Sequence, residues 1–96
     1  MRVINSQAIP VRPSVVRILG NDHIAAIYFQ QLRYYNDHTE KDSEGFFSKS
    51  VPTIYRDTVL TRSQQDRARR KLVALGWIAV RQSLTGLKTK LLRGDI

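Results

Sequence analysis

Apolar positions along this 96-residue chain come in separate clusters, and their period changes from helical to alternating near residue 77. Ala68, Leu72 and Leu75 stand at i, i+4 and i+7, so one narrow stripe of a helix faces a core. Thr61 is placed to cap that helix by accepting from first-turn N–H groups, and Gly76 is the residue that ends it. A helix over 61–75 is therefore expected, with Arg62, Gln64, Arg67, Arg70 and Lys71 lying off the apolar stripe. Beyond Gly76 the period becomes two: Ile78 and Val80 point one way, and Trp77, Ala79 and Arg81 the other. Residues 83–86 supply turn chemistry, and residues 87–92 return as a second strand. There Lys88 and Lys90 share one face and Leu87 and Leu91 the other. The pattern predicts a β-hairpin over 77–92 with its cations on the side away from the core.

Upstream, Pro13 suits the first turn of a short helix over 13–19, which Gly20 ends. Asn21 or Asp22 then caps a longer helix. Its positions Ile24, Ile27, Tyr28, Gln31 and Tyr35 follow helical spacing, with Gln31 the polar exception, and Ala25, Ala26, Phe29 and Leu32 widen the face. This is the expected central buried helix. Residues 36–45 contain no apolar side chain, which predicts an exposed polar loop that excludes burial. Phe46-Phe47 predicts a very short strand. Pro52 opens a helix through Thr58 with Ile54 and Tyr55 as its inward residues, and the chain turns at Val59-Leu60. Residues 1–11 read as an extended arm, in which Ile9-Pro10-Val11 forms a short edge strand because proline cannot sit within a sheet. With no repeat, low-complexity tract or linker, one domain over 1–96 is expected.

Length and charge narrow the function classes. A chain of this size buries ~60–65% of its unfolded surface, enough for one core. It has no cysteine, which excludes disulfides and thiolate metal sites. No run approaches the ~20 apolar residues of a membrane span, and no signal-peptide core is visible, so a soluble, cytoplasmic, nucleoid-associated protein is expected. The formal net charge is +8, unevenly placed. Residues 1–60 carry seven Lys/Arg and six Asp/Glu, whereas residues 61–96 carry nine and two. Charge concentrated on one helix and the hairpin after it is the footprint of a polyanion binder, because neutralising phosphates releases condensed counterions. A basic helix followed at once by a strand is also how a winged helix-turn-helix meets DNA.

Other signals carry less. His23 and His38 fall in different elements with no carboxylate at metal spacing, so no metal site is expected. Asp37, Glu40, Asp42 and Glu44 lack the calcium-loop pattern and read as a solvated loop. Arg93-Gly94-Asp95 matches an adhesion tripeptide, but in a cysteine-free chain without a secretion signal it reads as chance. Trp77 and the tyrosines read as packing residues. No nucleophile–base pairing or glycine-rich phosphate loop is present, so no catalytic residue and no cofactor is expected.

The segment Leu60-Thr61-Arg62-Ser63, followed by Arg67-Ala68, Lys71-Leu72 and Leu75-Gly76-Trp77-Ile78, resembles the winged-helix domains of phage and plasmid replisome organisers and replication initiators, including DnaD-like N-terminal domains. Ile9-Pro10 before a short helix, the long hydrophobic helix, and the polar loop before Phe46 and Phe47 extend the likeness over most of the chain. The resemblance implies an α+β, mainly α, winged helix-turn-helix of about four helices and a C-terminal hairpin wing. It implies that the first turn of the basic helix enters the major groove. Arg62, Ser63 and Gln64 then face base edges or flanking phosphates, and Arg67 reaches a guanine edge bidentately. Gln64 or Gln65 would pair with adenine. Arg69, Arg70 and Lys71 would touch phosphates, and Lys88 and Lys90 on the wing would reach phosphates or the minor groove. Solvated surface charge is the competing reading for Arg69 and Arg70. Arg81 belongs to the same DNA-facing set, with an internal ion pair to Asp66 or Asp57 as its alternative. Where that family often has a glycine before the basic helix, this chain has Thr58-Val59. A β-branched residue at positive φ is costly, so a longer or helical turn is expected.

The implied function is sequence-specific binding of double-stranded DNA as a replication initiator or origin-binding module of a phage, plasmid or similar mobile element. A small transcriptional regulator uses the same chemistry, and a winged helix that binds proteins within a larger assembly is a reading from another class. Implied partners are double-stranded DNA, a second copy of the chain through the arm or the long helix, and replication proteins, with no membrane.

Overall fold

In the computed structural model, residues 11–96 are described; the arm predicted over 1–11, with its edge strand at Ile9-Pro10, lies outside them apart from Val11. The order is α1 (Pro13–Ile18), α2 (His23–His38), α3 (Val51–Thr58), α4 (Arg62–Ala74), β1 (Ile78–Ser83) and β2 (Gly86–Leu91). This is a small α+β fold: four helices, then a two-stranded antiparallel hairpin, among the described residues.

α2 is central because one broad face of it is apolar. Ala25, Ala26, Tyr28, Phe29, Leu32 and Tyr35 are buried there, against Val15, Val16 and Leu19 of the α1 segment and Ala68 and Leu72 of α4. Asp22 caps it, accepting from Ala25 N–H at 3.0 Å. The helix does not stop at Tyr35, however. It runs on through Asn36, Asp37 and His38, where an exposed loop was expected. These residues need no inward contact, because propagating an existing helix adds a backbone bond per residue. His38 also stacks on Tyr34, ring centroids 4.1 Å apart, and donates from Nδ1 to the Tyr34 carbonyl at 2.9 Å.

The polar loop is likewise not free of the body. Asp42 Oδ1 accepts from the Glu44 and Phe46 N–H groups, folding residues 42–46 into a tight turn. The strand expected at Phe46-Phe47 is a single bridge: Phe47 exchanges backbone hydrogen bonds with Thr89 at 2.9 and 2.8 Å, and its ring is buried.

Ser50 caps α3, whose inward line is Val51, Ile54 and Thr58. Tyr55, expected to point inward, is 49% exposed. An eight-residue helix offers one line to the core, and Ile54 occupies it. The turn into α4 also differs from expectation. It is neither longer nor helical, and Val59 itself takes the left-handed conformation, φ 63° and ψ 14°. Thr58 bridges the strained corner: its hydroxyl donates to the Ile54 carbonyl at 2.7 Å and accepts from Leu60 N–H at 3.1 Å. Leu60, 4% exposed, anchors the far side.

α4 opens with a reciprocal cap, the Thr61 hydroxyl accepting from Gln64 N–H and the Gln64 side chain accepting from Thr61 N–H. Its buried line is Gln65, Ala68 and Leu72, not Ala68, Leu72 and Leu75. Leu75 sits at the C-cap and is half exposed, and Gln65 takes the vacated inward position one turn earlier. Gly76, at φ 76°, completes a Schellman ending in which Trp77 N–H bonds the Leu72 carbonyl and Gly76 N–H the Val73 carbonyl. Trp77 is thereby turned inward against Phe29, ring centroids 5.0 Å apart.

The hairpin pairs Ile78 with Leu91 through Ser83 with Gly86, leaving Leu84-Thr85 as a two-residue turn. Ile78, Val80, Leu87 and Leu91 share one face, as expected. The other face, with Arg81, Lys88 and Lys90, is not open as the pattern suggested. The 42–46 turn packs over it. Among the described residues no helix is long and apolar enough to cross a membrane.

Candidate nucleic-acid interface

The cap of α4 decides what that helix presents. With Gln65, Ala68 and Leu72 turned inward, Ser63, Arg67 and Arg70 line the opposite, solvent face, and Arg62 projects from the first turn. All four are exposed. Among the described residues, Arg62, Arg67 and Arg70 make no ion pair. They form a cationic strip held by a helix whose backbone is fixed at both ends.

The other predicted contacts are placed differently. Gln64 belongs to the cap, its Oε1 accepting from Thr61 N–H at 2.9 Å. Gln65, an expected partner for adenine, is fully buried. Its Nε2 donates to the Val51 and Leu60 carbonyls at 3.2 and 2.9 Å, so it ties α3 to α4 instead of reaching outward. Arg69 pairs with Asp66 one turn earlier on its own helix. Lys71 leaves the strip for the opposite flank, donating to the Leu19 carbonyl at 2.9 Å and to Asp22 Oδ2 at 3.0 Å. The Asp22 carboxyl is held below its usual value by the Ala25 N–H and by Lys71.

On the hairpin, Arg81 pairs with neither Asp66 nor Asp57. It donates to Asp42 Oδ2 at 2.8 Å and to Glu44, with its guanidinium 4.3 Å from the Phe46 ring centroid. Lys88 reaches the same Asp42 oxygen at 3.2 Å. Among the described residues Lys90 makes no ion pair and approaches the Phe46 ring, 5.9 Å from its centroid. Asp42 thus carries two cations on one oxygen and two backbone N–H groups on the other. The Phe46 N–H, the Glu44 N–H and Lys88 together hold its carboxyl down at about 2. Asp57 is engaged elsewhere, accepting from the Tyr35 hydroxyl at 2.5 Å and from Arg56 Nε at 3.1 Å. Burial first, and then that bond to Asp57, push the Tyr35 hydroxyl well above the usual phenol range.

The structure therefore brings together Arg62, Ser63, Arg67 and Arg70, and separates them from Lys71 and from Arg81, Lys88 and Lys90. It also exposes a feature that the pattern of residues did not indicate. Between α4 and the outer half of the hairpin lies a cleft of about 420 Å³, whose wall includes Lys49, Arg62, Arg69 and Gln82. Lys49 belongs to no periodic segment, and its position just before the Ser50 cap is the one local cue to it. His23 and His38 stand at opposite ends of α2, and among the described residues no group of three His, Asp or Glu side chains is close enough to hold a metal ion.

No protein-family model, curated protein or solved structure matches this chain.

Proposed function

We propose that this chain is a winged helix-turn-helix that binds double-stranded DNA, with α4 as the recognition helix and the β1–β2 hairpin as the wing. The observation that carries this reading is the strip of Ser63, Arg67 and Arg70 on one face of a capped helix, flanked by Arg62 at its first turn, its three arginines exposed and left without carboxylate partners among the described residues. Supporting it, a tight corner at Val59 sets α3 against α4, and a hairpin follows α4 directly. A major groove admits one α-helix, the element that carries this strip. Arg67 and Arg62 carry base-edge recognition, and Arg70 and Lys90 meet phosphates.

Target sequence and biological setting rest on the resemblance of residues 60–78 to replication-initiator domains. Within the proposal the chain is an origin-binding module. A selection from random and source-genome duplexes at physiological salt tests both levels. Enrichment of a short repeated motif clustered at one intergenic locus supports origin binding, and a single palindrome over a promoter replaces it with a regulator. No enrichment, together with tight, salt-insensitive binding to a protein partner, overturns the DNA reading.

A further inference from the structure

The cleft beside α4 combines three features that point to one kind of ligand. Its volume of about 420 Å³ lies within the range of small-molecule sites. Its floor is apolar, built from Leu32, Phe47 and Ile54, all buried. Its wall carries Lys49, Arg62 and Arg69, and no carboxylate lines it among the described residues. Arg69 is held by Asp66 and Lys49 leans over the Tyr35 ring at 4.9 Å, so both are positioned before any ligand arrives. A concave surface lined by one sign of charge concentrates counter-ions, and arginine forks match phosphate oxygens.

The third feature is Gln65, which lines the same cleft and is fully buried. Its Nε2 donates to two backbone carbonyls, so flipping the amide would set oxygen against oxygen, and the assignment of its two ends is fixed. The remaining Oε1 is a buried acceptor with no donor among the described residues. Buried polar atoms are almost always satisfied, so an orphan acceptor at a cleft asks for an N–H or O–H from outside the chain. A fully ionised phosphate supplies acceptors only and cannot answer it. A heteroaromatic ring with an N–H edge can, and such a ring also covers an apolar floor.

We infer that this cleft binds a mononucleotide unit, its phosphate against Lys49 and Arg62, its base on the Leu32–Phe47–Ile54 floor with an N–H directed to Gln65 Oε1. The site is distinct from the exposed strip of Ser63, Arg67 and Arg70 and shares only Arg62 with the proposed duplex interface. It does not depend on that interface being real.

The test is an amide chemical-shift titration of the isotope-labelled full chain with deoxyguanosine monophosphate, in parallel with deoxyguanosine and inorganic phosphate. The expected result is saturable shifts at residues 48–51, at the Gln65 side-chain amide and at residues 82–87, with each half-ligand binding about tenfold or more weakly. Two variants outside the core follow: Lys49→Ala removes a cation and Leu87→Trp fills the mouth of the cleft. Each is expected to lower nucleotide affinity about tenfold with an unchanged far-ultraviolet circular dichroism spectrum. Inorganic phosphate binding as tightly as the nucleotide, shifts confined to residues 63, 67 and 70, or full nucleotide affinity in both variants would each overturn the inference.

Discussion

For a chain with the proposed function, salt dependence of duplex binding distinguishes the cations that the fold leaves open from those it engages internally. Eight Lys and Arg side chains are expected at DNA from the sequence: Arg62, Arg67, Arg69, Arg70, Lys71, Arg81, Lys88 and Lys90. Four of them, Arg69, Lys71, Arg81 and Lys88, are held by Asp66, Asp22, Asp42 and Glu44. If only the other four neutralise phosphates, the slope of log K against log salt is about −3.6; with all eight it is about −7. Between 50 and 200 mM salt this separates an affinity loss of roughly 10² from one of roughly 10⁴. Fluorescence anisotropy of a labelled duplex over that range reads the slope directly. Asp42→Asn sharpens the test, because the amide keeps the acceptor for the turn while releasing Lys88, Arg81 remaining on Glu44. It should steepen the slope by up to about 1. Arg81→Ala in the unmodified background should leave the slope unchanged. Exposed ion pairs are individually weak, so phosphates could in principle draw these cations away from their carboxylates. A slope near −7 for the unmodified chain would show that they do, and would refute the division between open and engaged cations.

Other consequences are open to simpler measurements. Arg67→Ala should cost ~1–3 kcal/mol on the selected site and little on random duplex, whereas Lys90→Ala should weaken both alike; equal losses for both variants would remove the division into base and phosphate contacts. Leu72→Ala should destabilise the fold by ~2–5 kcal/mol in urea denaturation, whereas Leu75→Ala should stay within ~0.5 kcal/mol; comparable losses would contradict the inward line Gln65, Ala68, Leu72. Val59→Gly should raise stability by up to ~1 kcal/mol, since left-handed backbone costs a β-branched residue more than the chain entropy glycine adds; a loss would mean that the corner is not strained. Asp42 is held at about 2 from an ordinary 3.8, so its contribution is present above 3.8 and lost as pH falls through about 2. Asp42→Asn should flatten the acid limb of the stability curve in that window. An unchanged limb would mean that Asp42 has no such role.

What could be read from the residues was whatever local chemistry dictates. The Asp22 and Thr61 caps, the proline starts of α1 and α3, the Gly76 stop and the alternation of β1 are each decided within a few residues. Their order gives four helices and a hairpin. Even the placement of Ser63, Arg67 and Arg70 on one face follows from 3.6 residues per turn once the inward face is known. The exceptions fall where a local rule met a long-range partner. Gln65 was invisible as a core residue because its burial depends on two carbonyls from outside its own helix, at Val51 and Leu60. Leu75 lost its inward place because the helix ends under it. Val59 accepts a conformation that its side chain disfavours because Thr58, Leu60 and the α4 cap hold both sides of the corner.

Composition alone established how much positive charge the C-terminal third carries, and periodicity established which helix carries most of it. How much of that charge remains for a partner was decided only by tertiary structure. Asp42 and Glu44 lie some forty residues from Arg81 and Lys88 in sequence, and no spacing rule joins them. They meet because Phe47 pairs with Thr89 and lays the acidic turn across one face of the hairpin. The cleft has the same origin: Lys49 stands before α3, Gln65 and Arg69 belong to α4 and Leu87 to β2, and they form a wall only after those elements pack. Local propensity follows from each residue and its neighbours, whereas charge compensation and concavity are properties of the distances between elements, which only packing sets.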